Sequence, residues 1–165
     1  MKDQDWDSFG YCLRGAPGIG KTHLACALAI NLLNPDHPQT LARKQCEPWE
    51  MYASDSIRFV STPELICRLR STFKDGATES EYNIVTEYKR CKVLILDDLG
   101  AEKRSDYSAS SLYAILSGRR NAQKFTIVTT NQTLKEINEW EPRIASRLAE
   151  YATVRLEGKD RRVKR

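Results

Sequence analysis

Five short, largely apolar stretches recur along the chain: Phe9 to Leu13, Ile57 to Val60, Val93 to Leu96, Phe125 to Val128 and Thr153 to Leu156. Val93-Leu94-Ile95-Leu96 has no polar alternation, which is the mark of a strand covered on both faces in a parallel sheet. Between these stretches the apolar positions change to a helical period. In His23 to Asn34, Leu24, Leu28 and Leu32 recur at every fourth position, as do Ala25, Ala29 and Leu33, and Pro35 ends the run. Thr62-Pro63-Glu64 predicts a helix start, with Thr62 as cap and Pro63 in the first turn, followed by a stripe of Leu65, Leu69 and Phe73. Lys74-Asp75-Gly76 ends that helix, and a second covers Glu79 to Lys89. Ser108 to Asn121 predicts a helix with Leu112, Ile115 and Leu116 inward. Glu141-Pro142 opens another, which carries Arg143, Ile144, Arg147 and Leu148. Residues 34–56 keep no period, hold Pro35, Pro38 and Pro48, and read as a long surface insertion with a short helix at Leu41 to Lys44.

Strands alternating with helices predict the α/β class: a five-stranded parallel sheet flanked by helices, in one domain over residues 1–165. No separate helical lid domain is expected after Leu156. In such a sheet the ligand lies beyond the carboxyl ends of the strands. Gly15, Asp97 and Asn131 would all fall on that edge.

Composition changes this picture little. The 165 residues are 41% hydrophobic and 29% charged, as in an ordinary soluble domain. No apolar run approaches the roughly 20 residues of a membrane span. The polar, acidic start shows no secretory signal, so no membrane role and a cytoplasmic location are expected. The five cysteines are odd in number and show no C-x-x-C, against a zinc site or a disulfide framework. Cys12, Cys26 and Cys67 fall inside apolar patterns and are expected to be buried small hydrophobes. The net charge of +4 permits nucleic acid as a partner without demanding it. Charge concentrates in residues 158–165, where Lys159 to Arg165 hold five basic residues in seven.

The chemistry starts at Gly15-Ala16-Pro17-Gly18-Ile19-Gly20-Lys21-Thr22, which reads G-x-x-x-x-G-K-T, the P-loop or Walker A pattern. A phosphate chain needs many N–H donors at close range, so the backbone must wrap around it, and glycines permit the wrap. Lys21 would reach the β- and γ-phosphates and the Thr22 hydroxyl would ligate Mg²⁺. The helix beginning at about Gly20 and running through His23 points its positive end at the anion. ATP or ADP is therefore the expected ligand. Val93-Leu94-Ile95-Leu96-Asp97-Asp98 has the Walker B form: Asp97 would hold Mg²⁺ alongside Thr22, and Asp98 would orient or deprotonate the attacking water. Thr130-Asn131, at the end of the Phe125 strand, resembles the sensor 1 position, where a polar side chain detects the γ-phosphate. Arg143 and Arg147 share one helical face, and either could be an arginine finger for a neighbouring subunit, Arg147 first.

Together these residues resemble one family. Gly18-Ile19-Gly20-Lys21-Thr22-His23-Leu24-Ala25, Leu96-Asp97-Asp98-Leu99-Gly100, Thr129-Thr130-Asn131 and Arg143-Ile144-Ala145-Ser146-Arg147-Leu148 look like the AAA+ core of DnaC/DnaI-type replicative helicase loaders and the related IstB transposition helpers. The resemblance covers roughly Phe9 to Arg162. It implies a Mg²⁺-dependent ATPase that forms a homo-oligomer on ATP and single-stranded DNA and works with a replicative helicase or with a transposase. The helicase-gripping domain of loaders is not in the 14 residues before Gly15. AAA+ ATPases more often carry Asp-Glu where this chain has Asp97-Asp98, which implies slow hydrolysis. Arg161 or Arg162 would supply the sensor 2 charge. A nucleotide-dependent binding module with negligible turnover stays open as a rival, and a small-metabolite kinase is a weaker one.

Overall fold

The computed structural model describes residues 9–32 and 57–162. The predicted insertion at residues 34–56 and the last three residues of the basic tail lie outside them. The described elements run β1 (Gly10–Arg14), α1 (Lys21–Leu32), β2 (Ile57–Ser61), α2 (Thr62–Ser71), α3 (Glu81–Arg90), β3 (Val93–Leu99), α4 (Asp106–Asn121), β4 (Phe125–Thr130), α5 (Leu134–Trp140), α6 (Pro142–Ala149) and β5 (Ala152–Arg155). All five strands pair in parallel in the order β2-β3-β4-β1-β5, as the alternation of strands and helices predicts.

The register decides which side chains meet. Leu13 pairs with Thr129 and Arg14 with Thr130, while Ser61 pairs with Asp97, so the carboxyl ends of β1, β2, β3 and β4 lie level. Successive residues of a strand face opposite layers. Leu13, Val93, Ile95, Phe125 and Ile127 meet Ala25 and Ala29 of α1 on one side. Cys12, Leu94, Leu96 and Val128 meet the larger layer of α2, α3, α4 and α6 on the other, through Leu65, Leu69, Ile84, Leu112, Ile115, Leu116, Ile144 and Leu148. Small alanines on α1 let that helix sit close to β3 and β4, which brings the P-loop against the ends of both strands.

Among the described residues, one charged side chain lies wholly inside. Arg119, with no exposed surface, donates from Nε to Thr126 Oγ1 (2.9 Å), from Nη1 to the carbonyls of Tyr88 (2.7 Å) and Cys91 (2.8 Å), and from Nη2 to the carbonyl of Phe125 (2.5 Å). It ties the end of α4 to the α3–β3 connection and to the start of β4.

Several elements differ from the sequence expectation. Helix α1 starts at Lys21, next to the Gly20 start that the P-loop pattern predicts and two residues ahead of the apolar period. Ser61, not Thr62, caps α2: its hydroxyl accepts from the Glu64 N–H, and Thr62 is buried within the helix. Helix α2 stops at Ser71, so Phe73 leaves the stripe and is 62% exposed. Cys67 is also exposed, on the outer face of α2, while Cys12 and Cys91 are buried and Cys26 is half-buried. Burial pushes the Cys12 thiol up to about 11, which leaves it inert at neutral pH. Helix α5 was not expected at all. Its signal is the capping box Thr133…Glu136, in which the Thr133 hydroxyl accepts from the Glu136 N–H and Glu136 accepts from the Thr133 N–H. No helix among the described residues is long and apolar enough to cross a membrane.

Candidate nucleotide site

The loop between β1 and α1 is anchored at its start, where the Gly15 N–H donates to the Thr130 carbonyl at 3.3 Å. Gly18 has φ +74, and a Cβ there would run into the Asp160 carboxylate. Ala16 and Pro17 are exposed on the outside of the loop, Ile19 is buried beneath it, and the Gly20 carbonyl accepts from the Leu24 N–H as α1 begins. His23 is exposed on the first turn.

Lys21 is the first residue of α1 and is only 6% exposed. Its Nζ donates to the carbonyls of Gly15 (3.0 Å) and Ala16 (2.9 Å) and to Oδ1 of Asn131 (2.6 Å). All three partners are uncharged. Burial pulls the ammonium below its ordinary range, the nearby charges of Asp98 and Asp97 push it back up, and that of Arg162 lowers it again. The Thr22 hydroxyl points at Asp97, 3.0 and 3.1 Å from its two carboxylate oxygens. The Thr129 hydroxyl donates to Asp97 Oδ1 at 2.7 Å and accepts from the Asp98 N–H at 3.0 Å. Asp97 is buried, whereas Asp98 is half-buried and has φ +53.

The structure thus brings Gly15 to Thr22, Asp97, Asp98 and Asn131 to one edge of the sheet. It also carries the chain after β5 back onto the loop: the Arg161 N–H donates to the Gly18 carbonyl at 3.0 Å. Asp160 accepts from the Arg162 N–H at 2.8 Å. Arg143 and Arg147 are not part of this cluster. Arg143 grips Glu141 with Nε at 2.8 Å and Nη2 at 3.0 Å, Arg147 donates to Glu150 at 2.9 Å, and both guanidinium groups lie over the Tyr113 ring. The sequence pattern missed Thr129, which the Thr-Thr-Asn ending could have suggested. It also missed the buried Glu102, which no spacing rule singles out.

A family model described as IstB-like ATP binding protein matches residues 50–150. Among curated relatives, the replicative helicase loader DnaC of Escherichia coli (strain K12) is 21% identical over 139 residues, covering 84% of this chain and 49% of that protein. The insertion sequence IS5376 putative ATP-binding protein of Geobacillus stearothermophilus is 29% identical over 126 residues, covering 76% of this chain and 40% of that one. The chain therefore spans about half the length, or less, of these relatives. A crystal structure of the DnaC helicase loader superposes with a TM-score of 0.65 at 25% identity, over 94% of this chain and 82% of that one. AMPPCP-bound DnaA from Aquifex aeolicus shares the fold, with a TM-score of 0.67 at 18% identity over 89% of this chain and 40% of that one. The sheet order, the P-loop and the matched segment agree: this chain has an AAA+ P-loop fold and belongs to the family of IstB-like ATP binding proteins.

Proposed function

We propose that this chain binds ATP in the loop between β1 and α1, hydrolyses it, and serves as the ATPase core of a replicative helicase loader assembling on single-stranded DNA. The observation that carries the reading is Lys21, a buried ammonium whose hydrogen bonds all go to uncharged oxygens at a helix start. A buried cation of this kind needs an anion, and the polyphosphate of ATP supplies it. A hydroxyl and a carboxylate, Thr22 and Asp97, face each other at 3.0 Å, an all-oxygen pair of the kind that holds Mg²⁺ together with phosphate and water. Bound there, Mg²⁺ neutralises charge on the phosphates. Asp98 takes the proton of the attacking water while the water oxygen bonds to the γ-phosphorus and the bond to the ADP oxygen breaks. Asn131 exchanges its contact with Lys21 for one with the γ-phosphate. Arg147 acts on the nucleotide of the adjacent subunit. The shorter Asp98 in place of Glu makes turnover slow.

The surface beside this edge supports the DNA partner. Phe73 is exposed and packs edge-on against Tyr107, ring centroids 5.0 Å apart. Arg70 reaches Ser105 at 3.3 Å, next in the chain to exposed Lys103 and Arg104. Bases stack on exposed aromatics while arginines and lysines meet the phosphates. A transposition helper is the second reading, favoured by the higher identity to the insertion-sequence protein. ATP hydrolysis measured at several protein concentrations, with and without single-stranded DNA, tests the ATPase reading. The expected result is turnover that rises with both, and no ATP binding at all would overturn it. Pull-down against a replicative helicase and against a transposase separates the two partners.

A further inference from the structure

We infer that Glu102 is a positioning residue for Asp98, acting through the Gly100 amide, with Thr62 beside it, as a clamp on the turn that follows β3. The inference rests on the reading of Asp98 as the base. Glu102 is a carboxylate only 6% exposed. Its Oε2 accepts from the Thr62 hydroxyl at 2.6 Å and from the Gly100 N–H at 2.9 Å, and its Oε1 is buried with no hydrogen-bond partner. A buried acid with one empty oxygen is costly to keep, so its place calls for an explanation.

The backbone supplies one. Asp98 has φ +53, a left-handed conformation that is uncommon for a non-glycine residue though more accessible to Asp than to most, and the contacts around it fix it there. The enforcing contacts are specific. The Thr62 hydroxyl lies 2.8 Å from the Asp98 carbonyl, and its single proton is shared between that carbonyl and Glu102 Oε2. The Asp98 carbonyl also accepts from the Ala101 N–H at 3.0 Å, closing the turn. Gly100 follows with φ +91, and a Cβ there would strike the Gln132 side chain, so the turn is tight on its other side too. The Thr130 hydroxyl donates to the Leu99 carbonyl at 2.7 Å. Glu102 therefore holds the Gly100 amide, and it shares with the Asp98 carbonyl the single proton of the Thr62 hydroxyl, so carboxylate, hydroxyl and carbonyl meet at one point of the turn. Without it the turn keeps its length but the Gly100 amide, two residues after Asp98, loses its acceptor, and the turn that carries Asp98 is free to shift. A base displaced by about 1 Å loses on the order of 100-fold in rate.

Four full-length variants test the clamp by single-turnover ATP hydrolysis on single-stranded DNA, together with the affinity for a fluorescent ATP analogue. Glu102→Ala and Thr62→Val should each lower the rate at saturating ATP about 10- to 100-fold with analogue affinity within about twofold. Thr62→Ser, which keeps the hydroxyl, should restore the rate. The double variant Glu102→Ala/Thr62→Val should lose no more than either single one, because both act through one clamp. Amide exchange of Gly100 should rise at least tenfold in Glu102→Ala while amides of the β3 core stay protected. A parent rate that Asp98→Asn leaves unchanged removes the reading of Asp98 as base. Asp98-dependent turnover that Glu102→Ala leaves unchanged, or a fall in analogue affinity matching the fall in rate, overturns the clamp alone. So do multiplicative losses in the double variant.

Discussion

Lys21 and Asn131, 110 positions apart in the chain, meet at 2.6 Å between Nζ and Oδ1. The bond joins the helix after the P-loop to the end of β4, and it occupies the position where a γ-phosphate would be read. ATP must take the ammonium from Asn131, so the two residues should separate binding from turnover. Lys21→Ala is expected to abolish ATP binding with the circular dichroism spectrum unchanged, because the ammonium has no part in the apolar core. Asn131→Ala is expected to bind ATP and to hydrolyse it at least tenfold more slowly. Tight ATP binding by folded Lys21→Ala would remove the P-loop reading.

The two adjacent carboxylates should also divide their work. Asp97 is buried between Thr22 and Thr129, whereas Asp98 is half-buried with its backbone turned. Asp97→Asn is expected to weaken Mg²⁺-dependent ATP binding. Asp98→Asn is expected to keep binding and to stop turnover. Isothermal titration with and without Mg²⁺, next to a phosphate-release assay, distinguishes the two. Parent-like hydrolysis by both variants would mean that neither acid has the assigned role.

Binding to single-stranded DNA should have two separable parts. Phosphate contacts release counterions, so affinity falls steeply with salt. Replacing Lys103 and Arg104 by alanine, or deleting Lys159 to Arg165, should flatten that dependence. Phe73→Ala should cost ~1–3 kcal/mol without changing the slope, because stacking involves no counterion. Fluorescence anisotropy with an unstructured oligonucleotide over a salt series reads both, and salt-independent affinity would refute the surface.

Stability depends on a residue far from the site. Arg119 is fully buried, and truncating it removes the donors that reach the Tyr88, Cys91 and Phe125 carbonyls and the Thr126 hydroxyl. Arg119→Ala is expected to lose about 1–3 kcal/mol in urea unfolding. Arg119→Lys should recover little, since a single ammonium cannot follow the planar fork. A loss under about 1 kcal/mol would show that water replaces the guanidinium.

The strands and the nucleotide loop were legible because each is a local pattern: four-residue apolar runs for β3 and β4, and glycine spacing for the loop. Phe73 was misplaced because an i+4 period cannot tell where a helix stops; Thr72 closes α2 one turn earlier, and the ring turns outward against Tyr107. Thr62 was misread as a cap because Ser61 and Thr62 carry the same hydroxyl chemistry, and only the fold assigns one to the helix end and the other to Asp98. Glu102 was invisible for a similar reason. Its partner Thr62 lies 40 positions away, at the start of the helix after β2, which only the β2–β3 pairing brings near. Arg147 has Arg143 at i−4 and Tyr151 at i+4, neither an acid, yet Glu150 reaches it at i+3.

That ion pair shapes the final prediction. Within its own chain Arg147 is held by Glu150, which Arg120 also grips, while Arg147 Nε is buried without a partner. The hydrogen bond from Arg120, and then that from Arg147, hold the Glu150 carboxyl below its ordinary range. A carboxylate depressed in the folded state adds stability above its unfolded value of about 4.3 and loses it as pH falls through the folded value. Glu150→Gln should therefore cost no more than ~1 kcal/mol at pH 7, since the pair is near the surface. The cost should shrink as the pH drops below about 4. The same variant frees Arg147 to reach a neighbouring nucleotide, so its DNA-stimulated turnover should match or exceed that of the parent. Arg147→Ala should bind ATP normally and hydrolyse it poorly. Mixed with Asp98→Asn at high concentration on DNA, it should regain activity, because one kind of interface then joins an intact Asp98 to an intact Arg147. If Arg147 serves only to pair with Glu150 and to cover Tyr113, the mixture stays inactive and Glu150→Gln changes stability alone. No recovery in the mixture, with both proteins folded and binding ATP, refutes the shared site.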